Sequence, residues 1–416
     1  MVTPEAQPES LGDWAGIGPV APRPGEDLAP LIAWLRTGKT AEARIDFPAG
    51  TALPDGRLDL CKQAIGADGA ARVAEALPSL PRSARIADRH LLLGTDGLGD
   101  SGAGSVAAAA DEKGVNTLYL GCNGITSGGV CRMADRLRSS RFGQSAQAAA
   151  TDPESGVKAV WLKRNPLGPG GGEAAAALVE AAPGLRTLDL VQTGLTPAAL
   201  GALTEALIAA HGTGREFERL YLGGNPLGGP GAQALAALIA AGAIGELYIS
   251  AAELGDVGAH TIAEALELAP PGRLHRLSVA SNGIGPAACA RLVAAAARSG
   301  VAMLDLGRVR AARVLSAADN RPDVAAADSI GAALAAAPHR LTHLVLADTG
   351  MRSPEAISLL RHLEPGMPTP MRVVLGKGIA TTIRKRFAAI ARTVPQPAIS
   401  ADVAAIQSVH RTPPPL

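Results

Sequence analysis

Residues 97–102 have a composition and spacing that could bind a phosphate. They read G-x-G-x-x-G between a strand-like and a helix-like stretch, and such glycines let a backbone approach the pyrophosphate of a dinucleotide. Gly99 and Gly102, however, have counterparts one repeat earlier in the chain at Gly66 and Gly69. The repeat therefore explains the motif, and we predict no nucleotide cofactor.

The eight histidines and four cysteines are the residues that could bind a transition metal. No histidines form H-E-x-x-H, and the closest cysteine pair, Cys122 and Cys131, falls in two different predicted elements. Zinc sites need several N or S ligands at suitable spacing, so we predict no metal site. No G-x-S-x-G motif indicates a serine nucleophile. We therefore predict no catalytic residue and a chain that is not an enzyme.

A recurring phrase of eight residues organises the elements around these groups. Residues 118–125 read L-x-L-x-x-N-x-I. Copies spaced by about 30 residues begin at Leu58, Leu91, Leu118, Val160, Leu188, Leu220, Leu247, Leu277, Leu304, Leu344 and Val373. The Asn of the phrase is present as Asn123, Asn165, Asn225 and Asn282. Elsewhere the aligned residue is Gln63, Asp96, Thr193, Ala252, Val309, Thr349 or Gly378.

The phrase predicts one strand and one helix in each repeat. In L-x-L both leucines point into the core, and the residue between them faces outward. The Asn, turned inward, can bond backbone groups that the bending chain leaves unpaired. An Ala-rich stretch follows, in which residues such as Leu235, Leu238 and Ile239 share one helix face.

Repeats of about 28 residues with this phrase resemble the ribonuclease-inhibitor class of leucine-rich repeats. That class includes Ran GTPase-activating proteins and the repeat domains of NOD-like receptors. The resemblance covers roughly residues 55–380 and implies an α/β solenoid of about eleven repeats. Its form would be a horseshoe with a parallel sheet on the concave side and helices on the convex side. Most members of the class bind proteins.

Three regions follow from the repeat boundaries. Residues 1–54 would form a flexible N-terminus and a cap, and residues 55–380 the repeat array. Residues 381–416 would form a capping helix and a Pro-rich tail. Two long steps between copies predict insertions at residues 139–156 and 308–323.

Charge and composition exclude several classes of function. The net charge is +1, whereas nucleic-acid binding needs clustered excess positive charge. The last 52 residues, 365–416, carry seven Lys or Arg against Asp402 alone. A patch for nucleic acid is thus a weak alternative to a solvated face of the capping helix. Neither a signal peptide nor an apolar run long enough to cross a membrane is apparent. The isolated cysteines fit a cytoplasmic protein, and the Ala, Gly and Arg bias suggests a bacterial source.

The outward residue of each L-x-L is the candidate binding position. All three tyrosines and one tryptophan of the chain occupy it, and in a horseshoe they would form a row on the concave face. Amphipathic aromatics on an open surface are typical anchors for a protein partner, although aromatics also suit strands. The candidate partner-binding residues, with their polar neighbours, are Tyr119, Trp161, Asp189, Tyr221, Tyr248, Lys163, Arg219 and Arg276.

The function that these observations favour is protein–protein interaction. We predict an intracellular scaffold or inhibitor that binds a partner on the concave face. The alternatives are a regulator similar to GTPase-activating proteins and a bacterial effector that recognises a host protein. No residue outside the repeat itself supports either alternative.

Overall fold

The structure, a computed structural model, describes residues 20–78, 89–142, 156–364 and 369–410. The chain divides into two compact units. Unit 1 comprises Met1–Leu185 together with Ser400–Leu416, and unit 2 comprises Arg186–Ile399. In both units short strands alternate with helices, which confirms the predicted α/β leucine-rich-repeat class.

Unit 1 contains six strands and six α-helices among its described residues. The strands are β1 (Ile45–Asp46), β2 (Thr51–Ala52), β3 (Arg57–Asp59), β4 (His90–Leu92), β5 (Thr117–Tyr119) and β6 (Ala159–Trp161). The helices are α1 (Ala29–Arg36), α2 (Gly66–Ala76), α3 (Gly99–Lys113), α4 (Ser127–Phe142), α5 (Gly171–Ala181) and, near the C-terminus, α13 (Ala401–Ala405). Strands β1, β2 and β3 pair antiparallel, and β3 to β6 pair parallel.

Unit 2 contains seven strands and seven α-helices among its described residues. The strands, which pair parallel in chain order, are β7 (Thr187–Asp189), β8 (Arg219–Tyr221), β9 (Glu246–Tyr248), β10 (Arg276–Ser278), β11 (Met303–Asp305), β12 (His343–Leu346) and β13 (Arg372–Leu375). The helices are α6 (Pro197–Gly212), α7 (Gly228–Ala240), α8 (Gly255–Leu268), α9 (Pro286–Ser299), α10 (Val324–Ala335), α11 (Ser353–Leu363) and α12 (Thr381–Ile390).

The L-x-L phrase builds the core of both units as the sequence predicts. Strands β3 to β13 are the eleven predicted copies, and within each unit their first apolar residues are register partners. In the central repeats both apolar residues of the phrase are fully buried, as Leu220 and Leu222 illustrate. The apolar stripe of α7, including Leu235 and Leu238, is buried beside them. Burial of one strand face and one helix face per repeat therefore drives the fold.

The Asn side chains form a hydrogen-bonded ladder beneath the strand ends. Asn225 is fully buried, and its Oδ1 accepts the backbone N–H groups of Thr193 at 3.0 Å and Leu195 at 3.1 Å. Its Nδ2 donates to the carbonyls of Leu190 and Leu222, each at 2.8 Å. Asn123, Asn165 and Asn282 make equivalent bonds. Each Asn thus joins two neighbouring repeats through main-chain groups that would otherwise be buried unpaired.

The ladder corrects one assignment made from the sequence. Alignment of the repeat starting at Leu304 placed Val309 at the Asn position, but Asn320 occupies it. Asn320 accepts from the N–H groups of Asn282 and Ile284 and donates to the carbonyls of Val279 and Leu306. The second predicted insertion, residues 308–323, therefore includes the ladder Asn of its own repeat, and the additional residues lie between β11 and Asn320.

Some of the other predicted boundaries can be compared with observed helices, and others fall on residues that the structure does not describe. Helix α4 continues to Phe142, so the first four residues of the insertion predicted at 139–156 are helical. Residues 143–155 lie outside the described part of the chain, as do residues 1–19 and 411–416. In unit 2, Ile383 and Phe387 of α12 are buried.

We expect Asn225→Ala to lower the free energy of unfolding by about 1–3 kcal/mol, because it leaves two buried N–H groups without an acceptor. Chemical denaturation would measure the change. Gln233→Ala, at an exposed position on α7 of the same repeat, is the matched control and should have little effect. Equal stability of the two variants would show that the ladder contributes nothing.

Candidate functional site

The eight candidate binding residues fall into two groups that belong to different units. Unit 1 holds Tyr119, Trp161 and Lys163. Unit 2 holds Asp189, Arg219, Tyr221, Tyr248 and Arg276. Lys163 lies two residues after the end of β6, and the other seven residues occupy the strand positions that the phrase predicts.

The aromatic pair of unit 1 is buried. Tyr119 and Trp161 are register partners in β5 and β6, and their exposed fractions are only 2% and 4%. The ammonium of Lys163 lies 5.6 Å from the centroid of the Tyr119 ring, within the range of a cation–π contact. Burial leaves little ring surface of this pair for a partner, whereas the aromatic pair of unit 2 is more exposed.

Asp189 has a local structural role. Its side chain is buried, and its Oδ1 accepts the backbone N–H of Val191 at 2.8 Å. Asp59 and Asp305 occupy the same position in their repeats, and each also accepts the N–H two residues later. An Asp between the two apolar residues therefore caps its own strand end, as short acidic side chains commonly do.

Tyr221 and Tyr248 form a stacked pair on the outward face of β8 and β9. They are register partners, their ring centroids lie 4.3 Å apart, and their planes differ by 10°. This separation is close to the ~4.8 Å spacing of neighbouring strands, so the sheet itself sets the stack. Both side chains are half-buried, which leaves part of each ring accessible. We call this pair and its polar neighbours the tyrosine face.

The carboxylate of Glu246 is the centre of a charge network beside the stack. Glu246 is 4% exposed, and its Oε2 accepts the hydroxyl of Tyr248 at 2.6 Å. The guanidinium groups of Arg219 and Arg276 lie 3.2 Å and 3.6 Å from the same oxygen. The Nε2 of His275 lies 3.3 Å from Oε1. The network thus holds a buried charge among donors that satisfy it.

These contacts set the ionisation of the network. Burial alone would raise the pKa of Glu246, but the hydrogen bonds from His275 and Tyr248 and the arginine charges outweigh it and lower that pKa to about 2. Burial and the bond to Glu246 raise the pKa of Tyr248 to about 12. The hydrogen bond to Glu246 also raises the pKa of His275. At neutral pH the carboxylate is therefore ionised and the phenol protonated.

Glu218 and His275 belong to the network but are not among the candidate residues that the sequence indicated. Both stand two residues before the first Leu of their repeats and therefore lie outside the phrase that was aligned. Glu218 Oε1 lies 3.5 Å from His275 Nε2. In that column the repeat of β9 has Gly245, so Glu218 and His275 come from repeats that are two apart, and a comparison of neighbouring repeats gives no acid–histidine pair.

Glu218, Glu246 and His275 could also hold a metal ion. One ligand atom from each lies within 4.8 Å of the others, and two carboxylates with one imidazole form a plausible divalent-cation set. Arg219 and Arg276, however, already neutralise Glu246, and their charges repel a second cation. We therefore interpret the cluster as an ion-pair network.

The segment that matches a known protein family includes Tyr221 of the tyrosine face. Residues 217–236 match the leucine-rich repeat family. The matched segment includes β8, Tyr221 and the ladder residue Asn225. No curated protein matches the chain. Within the described residues, no helix is long and apolar enough to span a membrane. A leucine-rich repeat is typical of proteins that bind other proteins, but it does not identify a partner.

The basic C-terminal segment has internal contacts of its own. Arg386 pairs with Glu364, Arg384 donates to the carbonyls of Gly376 and Ile379, and Arg372 donates to the carbonyl of Val394 at 2.9 Å. Three of the basic residues of this segment are thus engaged within the chain.

Proposed function

We propose that the chain is a cytoplasmic protein-binding scaffold or inhibitor, of bacterial origin, and that it binds its partner without catalysis. The tyrosine face of unit 2 would be the contact surface. The observation that carries the proposal is the stacked, half-buried pair of Tyr221 and Tyr248 at an outward strand position.

The network around the pair supports binding because it fixes a ring in advance. The hydroxyl of Tyr248 donates to Glu246 and accepts from Arg276 at 3.1 Å. A side chain already held in one rotamer loses less entropy when a partner covers it. Tyrosine and arginine are also the residue types that dominate the energy of protein interfaces.

The surroundings match the composition of an interface centre with a polar rim. The rings supply apolar area, and the surrounding Arg219, Arg276, Glu218 and His275 are partly exposed groups of both signs. Such a rim favours a partner with complementary charges and sets the orientation of binding.

Single substitutions Tyr221→Ala and Tyr248→Ala test this function. Proteins retained from lysate by the immobilised chain would be identified, and the affinity of each would then be measured against every variant. We expect either substitution to weaken binding by about 2 kcal/mol, because each removes a preorganised aromatic anchor.

Val257→Ala is the matched control. Val257 lies on α8 of the same repeat as Tyr248 and is 72% exposed, but it belongs to the helix side. Affinity that is unchanged in the tyrosine variants, together with a lower melting temperature, would show that the pair serves packing alone.

A further inference from the structure

The outward face of β3 contacts a segment from the other end of the chain. Asp59, the outward residue of β3, is fully buried. Its Oδ1 accepts the hydroxyl of Ser408 at 3.0 Å, and its Oδ2 accepts the backbone N–H of Val409 at 2.7 Å. We call residues 400–410 the C-terminal segment; they belong to unit 1 together with β3.

Two further contacts involve the residues of the C-terminal segment that flank Ser408 and Val409. Arg57 of β3 donates to the backbone carbonyl of Gln407. On the other side, the Oγ1 of Thr51 in β2 lies 3.1 Å from Nε2 of His410. Residues 407–410 are therefore contacted by three side chains from two adjacent strands.

The chemistry of these contacts is that of peptide recognition. Two of them involve main-chain groups, the carbonyl of Gln407 and the N–H of Val409, which every peptide offers except where proline removes the N–H. The Ser408 hydroxyl supplies specificity because it donates to Asp59, and it also accepts the N–H of His410 at 3.1 Å. The side chains of Gln407 and Val409 are exposed. A peptide segment that forms the same turn, with a hydroxyl residue at the position of Ser408, would satisfy the same groups.

We propose that the outward face of β2 and β3 is a binding site for a short turn-forming peptide segment and that the C-terminal segment is its intramolecular occupant. A partner protein would take the site with a Ser- or Thr-containing segment once the occupant leaves. A tethered ligand acts at a high effective concentration, so the C-terminal segment competes with such partners for the site. A partner must bind tightly enough to displace it. This site lies in unit 1 and does not depend on the tyrosine face.

Ser408→Asp in the full chain tests the proposal. The new carboxylate would face that of Asp59 at hydrogen-bonding distance, and like charges at that distance repel. The C-terminal segment should then leave the site while the site itself stays intact. A fluorescent peptide with the wild-type sequence of residues 400–410 is the probe, and fluorescence anisotropy is the readout.

We expect the peptide to bind the Ser408→Asp chain at least tenfold more tightly than the wild-type chain. Gln407→Glu is the matched control, because it adds the same charge one residue earlier on an exposed side chain; this chain should bind like the wild type. Adding Asp59→Asn to Ser408→Asp should abolish the gain, since it weakens the acceptor for both donors. Ser408→Ala, a milder change, should give an intermediate affinity.

Hydrogen exchange at Val409 gives a second readout without added peptide. Its amide should exchange faster in Ser408→Asp than in the wild type and in Gln407→Glu. Equal peptide affinity for the wild-type and Ser408→Asp chains would overturn the proposal, as would a Ser408→Asp chain that melts normally and binds no peptide. Neither result would affect partner binding by the tyrosine face.

Discussion

The variant Asp96→Asn should be more stable than the wild type at neutral and alkaline pH, by several kcal/mol at pH 8. Asp96 occupies the ladder position in the repeat of β4, where other repeats have Asn, and it is fully buried. Its Oδ1 accepts the N–H of Gln63 at 2.8 Å. Among the described residues, its Oδ2 has no hydrogen-bond partner.

The missing bond follows from the chemistry of the side chain. The ladder Asn123 uses its Nδ2 to donate to Leu93 O and Leu120 O, and an ionised carboxylate has no proton to donate. An Asn at position 96 would supply the donor toward the equivalent carbonyls of the preceding repeat. Burial raises the pKa of Asp96 to about 8, so ionisation at or above that pH leaves a buried charge with one unpaired oxygen. An Asn stays neutral and keeps its donor at every pH.

The pH dependence follows from this shift. Because the folded-state pKa lies above the unfolded value, the stabilisation is complete below about pH 4 and is lost as pH rises towards 8. Each pKa unit corresponds to about 1.4 kcal/mol. Denaturation of the two chains across this range should show the advantage of Asp96→Asn growing with pH.

Asp68→Asn is the control for Asp96→Asn. Asp68 is an exposed acid in the first turn of α2, and its substitution should leave the pH profile of stability unchanged. Parallel profiles for the wild type and Asp96→Asn would mean that Asp96 is already ionised in the folded chain.

The second large effect is expected for Glu246→Gln. The change keeps the shape of the side chain but leaves Arg219 and Arg276 without the carboxylate between them. Removing one partner of a buried ion pair costs about 3–5 kcal/mol. We expect about 2–3 kcal/mol here, because the two arginine side chains keep some solvent contact.

Acid should reduce the difference between Glu246→Gln and the wild type. The folded-state pKa of Glu246 is about 2, below its ordinary value of 4.5, so its contribution is present above pH 4.5 and lost as pH falls through 2. Glu264→Gln, whose side chain is 68% exposed, is the matched control. A constant difference between Glu246→Gln and the wild type from pH 7 to pH 2 would refute the charge network.

The sequence predicted the repeating framework of each unit because the framework depends on local periodicity. The alternation of L-x-L places both leucines inward wherever it occurs, and the Asn that follows serves main-chain groups at a constant distance along the chain. Asn123, Asn165, Asn225 and Asn282 therefore all lie where the phrase placed them. The insertion after β11 made the assignment of Val309 to the Asn position wrong, because it moved the Asn of that repeat to position 320.

The candidate site was predictable only in part. The position of Tyr221 and Tyr248 on the outward face follows from strand alternation, and their stacking follows from the spacing of adjacent strands. The same pattern predicted an equally open Tyr119, which is buried. Alternation determines which face a side chain occupies, whereas burial depends on what else covers that face.

The sequence by itself determined the strand and helix of each repeat, the inward residues and most of the Asn ladder, because these depend on neighbours within about one repeat length. Tertiary structure alone decided the contacts between residues far apart in the chain. It assembled the Glu246 network from three strands, shifted the pKa of Asp96 by burial, and brought Ser408 to Asp59, 349 residues away. No local pattern encodes such contacts, because they join residues that do not belong to one repeat.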